Sequence, residues 1–114
     1  MLNKGDIINL RVDYSDKTGS KIRPVVILAK HDKYSSELNY LEISSKDYLE
    51  NDEFSINLLK SNYYIKTDSY AKIWKIGTIN ESILPEDLFV IDKIKPDDLN
   101  KILEKLNKYF SQDW

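Results

Sequence analysis

Arg23-Pro24-Val25-Val26-Ile27-Leu28-Ala29 places a permanent cation at the mouth of an apolar run. Pro24 fixes its own φ and presses Arg23 toward an extended backbone, so the guanidinium sits on a stiff strand rather than a loose loop. A charge that cannot drift suits an anionic ligand. The plainer reading is a solvated strand-edge arginine, the usual fate of a charged residue. Lys21 adds a cation in the turn signal Gly19-Ser20-Lys21 just before it. Farther along, Lys72, Trp74 and Lys75 crowd into one stretch. A tryptophan between lysines offers a platform for an unstacked base, worth about 1–3 kcal/mol per base. The competing reading of Trp74 is a core aromatic. In a regular strand Lys72 and Lys75 point to opposite faces, so only one should line a groove. Ser44 and Ser45 end a third apolar stretch with one hydroxyl on each face, and at most one of them serves a given site. His31 stands alone in a polar segment and reads as solvated rather than as a ligand.

Composition bounds what these residues can do. A chain of 114 residues with 41% hydrophobic and 32% charged residues is expected to fold as one domain over residues 1–114. No apolar run approaches the roughly 20 residues of a membrane helix, and the first residues lack a secretory h-region, so no secretory signal is expected. Without cysteine there is no disulfide framework and no thiolate metal site. The expectation is a cytoplasmic protein with no membrane association, metal or cofactor. A net charge of −2 argues against gripping nucleic acid by bulk charge. The distribution is uneven, however. Up to residue 30, cations outnumber carboxylates by three; from 31 to 60, carboxylates outnumber cations by four. A local basic patch on an acidic chain fits this, with salt-sensitive binding.

The elements that must hold these residues are short. Ile8, Leu10, Val12 and Tyr14 alternate with polar residues and predict a first strand. The Arg23 run, apolar on both faces, predicts a central strand ending near Lys30. Leu38 to Ser45, Phe54 to Leu58, Ser69 to Ile79 and Phe89 to Ile91 predict four more, with 46–53 as a polar loop. Leu99, Ile102, Leu103, Leu106 and Phe110 recur at helical spacing, predicting a C-terminal helix over about 97–110 that Asp97 caps. The fold class is mainly β with a C-terminal helix: a small, strongly bent antiparallel barrel whose strands span about 5–94.

These pieces resemble the MazF/PemK toxin family of type II toxin–antitoxin systems. The likeness runs through Gly5-Asp6-Ile7, Val12-Asp13-Tyr14, Gly19-Ser20, Arg23-Pro24-Val25-Val26-Ile27-Leu28, Ile43-Ser44-Ser45-Lys46, Asp68-Ser69 and Thr78-Ile79. It implies an SH3-like barrel acting as a homodimer, bound by a cognate antitoxin. It also implies an endoribonuclease that cuts single-stranded RNA at short sequences without a metal, leaving a 2′,3′-cyclic phosphate. By that likeness Arg23 stands at the catalytic arginine and Ser44 at the catalytic threonine. Lys21, Ser45, Lys72, Trp74 and Lys75 would frame the RNA. The sequence departs from the family in a shortened loop before Arg23. In relatives with a basic–acidic pair on the fifth strand, Lys72 fills the basic place here and Trp74 stands where the acid would be. Two other functions fit the same fold: a gyrase-poison-like toxin acting through Trp114, and an inactive RNA-binding barrel.

Overall fold

The computed structural model describes residues 2–114. Its strands are β1 (Asp6–Asp13), β2 (Ser20–Lys30), β3 (Glu37–Ser44), β4 (Ser55–Leu58), β5 (Ser69–Asn80) and β6 (Asp92–Lys93), followed by the helix α1 (Pro96–Phe110). They form one antiparallel sheet in the order β4-β5-β3-β2-β1-β6. The sheet curls into a half-barrel whose open edges are β4 and β6.

β2 lies between β1 and β3, which explains its unbroken apolar run. Val26 and Leu28 pack with Ile7, Leu41, Ile43, Ala71 and Ile73 on the face covered by α1, where Ile102 is fully buried. Val25 and Ile27 point the other way, into a second core with Ile8, Leu10, Val12 and Leu38. Each such side chain contributes about 1.5–3 kcal/mol through burial. A strand clamped on both faces in this way makes a rigid support for whatever stands at its end.

Ser45, expected to end the third strand, lies just past β3, and two further expectations fail. Phe89 to Ile91 is not a strand: Phe89 is exposed, and the short β6 begins at Asp92. The Ile91 backbone N–H donates to the Ile7 carbonyl at 2.8 Å. Asp97 does not cap α1, because Pro96 at the first helical position moves the start forward and leaves Lys95 at the cap. Asp97 and Asp98 instead lie in the first turn, where the helix dipole favours carboxylates. The polar loop after β3 holds a short 3-10 turn, Asp47–Asn51, that buries Leu49 completely.

Candidate anion site at the mouth of the inner strands

β2 and β3 pair with Val25 opposite Glu42. Carrying that register two residues further sets Arg23 opposite Ser44, which places both on one face of the sheet. Glu42 shares that face. Its Oε1 is 3.7 Å from Arg23 Nε and 3.9 Å from Lys72 Nζ. The three side chains keep only 17%, 13% and 11% of their surface exposed, for Arg23, Glu42 and Lys72 in turn. Two cations around one carboxylate leave a net positive charge at a half-buried spot.

Lys72 reaches Glu42 because β5 is irregular. Leu41 pairs with Ile76 and Ile43 with Ala71, so β5 runs 72–75 opposite Glu42 alone. Such a bulge re-aims side chains. Ala71 and Ile73 pack on the α1 side, whereas Ile79 packs against the opposite core and Gly77 lies beneath the Tyr40 ring. The alternation therefore reverses within the bulge. Lys72 and Lys75 emerge on the same face, not on opposite faces as a regular strand requires. Lys75 stands outside the ion pairs and hydrogen-bonds the Ser15 hydroxyl in the turn between β1 and β2. Trp74, also in the bulge, is half-buried and joins neither core, so the core-aromatic reading is set aside.

Electrostatics follow from this crowding. Burial holds the Lys72 ammonium below the usual lysine range; Glu42 opposes that shift, while Arg23 and Lys75 reinforce it. Burial likewise raises the Tyr40 hydroxyl, helped by the negative charges of Glu42 and Asp13. The ion pairs at 3.7 and 3.9 Å lie beyond hydrogen-bond reach. Both cations are thus held in place while their N–H donors stay available.

A cavity of about 700 Å³ opens beside the cluster. Lys21, Arg23, Ser44 and Ser45 line it; Lys72, Trp74 and Lys75 do not. Its strand residues Asn9, Ile22, Pro24 and Ile43 carry the alternation of the α1 face, opposite to that of Glu42. Cavity and ion cluster therefore flank the same strand ends from two sides, and Arg23 belongs to both. Ser44 is buried and its hydroxyl accepts from the Lys46 backbone at 3.3 Å. Sequence reasoning missed Glu42 as a site residue, although its shared alternation with Ser44 was a usable signal. Lys66, on the cavity wall, has no signal in the sequence that sets it apart from other exposed lysines. Among the described residues no three His, Cys, Asp or Glu side chains are grouped to hold a metal ion, and no helix is long and apolar enough to cross a membrane.

Fold and site together define a small β half-barrel with two fixed cations around one carboxylate at the end of its inner strands. The chain belongs to the family of PemK-like, MazF-like toxins of type II toxin–antitoxin systems, which it matches over residues 3–110. No curated protein matches it by sequence. Among solved structures, MazF from Deinococcus radiodurans is similar with a TM-score of 0.71 at 11% identity, covering 97% of each chain. A MazE–MazF structure from that organism gives 0.70 at 13% identity and 98% of each chain. A second MazE–MazF crystal form gives 0.73 at 10% identity, covering 98% of this chain and 97% of that one. At such identities the likeness is one of fold.

Proposed function

We propose that the protein is a toxin endoribonuclease that cuts single-stranded RNA by internal attack of a 2′-hydroxyl on the adjacent phosphodiester, without a metal. Family membership supports the toxin, and the Arg23–Glu42–Lys72 cluster supports the chemistry. The single observation that carries it is a half-buried guanidinium held by its carboxylate at 3.7 Å, too far to consume its donors. Attack by the 2′-oxygen builds charge on the non-bridging phosphate oxygens. A planar guanidinium meets two of them at once. One fixed donor aimed at developing charge is worth about 3–4 kcal/mol. Arg23 takes that role, and Ser44 orients the phosphate from the opposite strand. With two cations and one carboxylate, the cluster becomes neutral when one phosphodiester binds. Lys21, Ser45, Lys75 and Trp74 extend the contact along the strand, Trp74 by stacking a base. A requirement for the 2′-hydroxyl makes DNA a non-substrate.

The toxin acts as a homodimer and is silenced by an antitoxin, as the MazE–MazF likeness suggests. An acidic antitoxin segment is suited to compete with RNA for the cations. The test is incubation of the purified protein with a long single-stranded RNA, with and without EDTA. Cutting at a recurring short sequence in both, with 2′,3′-cyclic phosphate ends, is the expected result. Intact RNA at high protein concentration overturns the proposal. Toxicity that persists without RNA cutting and disappears on deleting Trp114 favours a protein-binding poison instead.

A further inference from the structure

We infer that Glu42 is the general base of this cleavage, accepting the proton of the attacking 2′-hydroxyl, and that Lys72 supplies the proton taken by the leaving 5′-oxygen; the inference rests on the endoribonuclease reading above. Arg23 is a poor base at neutral pH, the Trp74 indole can donate but not accept a proton, and the strand carrying Lys72 has no carboxylate of its own. The neighbouring strand does. Among the described residues, Glu42 is the only carboxylate ion-paired with both Arg23 and Lys72. It faces the same side as Ser44, where the phosphate is proposed to rest. The β5 bulge is what brings Lys72 to it.

The step balances without any further reagent. The 2′-oxygen forms a bond to phosphorus as its proton passes to the Glu42 carboxylate. The bond from phosphorus to the 5′-oxygen breaks as that oxygen takes a proton from Lys72. The products are a 2′,3′-cyclic phosphate and a 5′-hydroxyl, with a neutral carboxylic acid left beside a neutral amine. Those groups lie 3.9 Å apart, so a small approach returns the proton and restores the starting charges. The charged groups facing Lys72 are Glu42 from β3, Arg23 from β2 and Lys75 from its own strand; burial and the two cations make its proton easier to lose.

Single-turnover cleavage of an RNA oligonucleotide tests this, using ordinary RNA and RNA with sulfur in place of the scissile 5′-oxygen. A thiolate leaves without protonation. Glu42→Gln keeps the shape but cannot take a proton, and is expected to cut both substrates at least about 100-fold more slowly. Its RNA binding stays equal or tightens, since a negative charge is lost. Lys72→Met is expected to lose about 100-fold on ordinary RNA and to recover most of that on the sulfur substrate. Glu42→Gln cutting within about threefold of the parent overturns the base assignment, since acid–base catalysis accounts for about 100-fold or more. Equal loss by Lys72→Met on both substrates overturns the acid. Should either variant fail to fold, the remaining measurements decide. Glu42→Asp keeps the charge but shortens its reach, so full activity overturns the base. In the parent protein, a fall in rate at alkaline pH that is identical on both substrates overturns the acid. A parent that cuts no RNA overturns the nuclease reading itself, a separate result.

Discussion

The Glu42 carboxylate stands between Arg23 and Lys72, 3.7 Å from the Nε of one and 3.9 Å from the Nζ of the other. The three groups come from three adjacent strands, β2, β3 and β5. Half-buried charges are costly unless paired, and removing one partner leaves another uncompensated. Here each cation has a carboxylate and the carboxylate has two cations, so the sheet can hold them near the surface without collapse. The arrangement stays one negative charge short of neutrality, the charge that the proposed phosphodiester would bring.

Arg23→Ala is expected to lower cleavage about 100- to 1,000-fold, the usual loss of one fixed donor. Arg23→Lys keeps the charge but loses the planar fork, and should remain at least about tenfold impaired. Single-turnover rates check this, with thermal unfolding as a control for the fold. Full activity of the lysine variant refutes a two-oxygen contact.

Ser44 and Ser45 both line the cavity, but only Ser44 shares the face of Arg23. Ser44→Ala should therefore cut kcat/KM by about tenfold or more, the value of one hydrogen bond to a charged group. Ser45→Ala, which removes only a flanking contact, should lower it less than Ser44→Ala does, and Ser44→Thr should retain most activity. The reverse order between the alanine variants would place the phosphate on the α1 face of the sheet.

Trp74→Ala should weaken RNA binding by about 1–3 kcal/mol. Because the ring belongs to neither apolar core, its unfolding midpoint should stay close to the parent's. Fluorescence titration with a non-cleavable 2′-deoxy analogue separates the two effects. Unchanged binding with a lowered midpoint would make the ring a packing residue.

Lys21→Gln and Lys75→Gln each remove one cation from the proposed RNA path. For single strands the slope of log binding constant against log salt should fall by about 0.7 for each phosphate that the variant no longer neutralises. Binding measured across a salt series gives the slope. A slope identical to the parent's takes that lysine off the path.

Tyr63 is buried, and its hydroxyl donates to Asp98 at 2.5 Å while accepting from the Lys95 backbone at 3.0 Å. It ties the loop after β4 to the start of α1. Tyr63→Phe should cost about 1–2 kcal/mol. Burial, then the bond to Asp98, raises the hydroxyl above the usual 10.0. A raised value in the fold means the contribution is whole below the unfolded value and is lost as pH climbs toward the folded one. The stability gap between parent and variant should thus be constant at neutral pH and shrink in alkali above pH 10.0. Denaturant unfolding at several pH values measures it.

Much of the fold was legible along the chain because alternation and helical spacing report which side chains leave water. Ile8, Leu10 and Val12 marked β1, the doubly apolar run marked β2 as interior, and Leu99, Ile102 and Leu106 marked the buried side of α1. The weaker readings fell where backbone geometry, not hydrophobicity, decides. Phe89 to Ile91 looked like a strand from composition, yet only Asp92 and Lys93 meet β1 in register. Tyr63 carried no periodicity, because its burial depends on a helix more than thirty positions away.

For the candidate site, local chemistry alone determined that a guanidinium on a rigid strand mouth, with serines at another strand end, suits an anion. Proline geometry and strand alternation act between near neighbours, so a linear reading captures them. Which charges meet was settled only by tertiary structure. Glu42 and Lys72 belong to different strands, and the β5 bulge that joins them reverses side-chain direction in a way no alternation rule contains. Ladder register depends on how whole strands pack against both cores, a balance summed over the molecule rather than written in any short stretch.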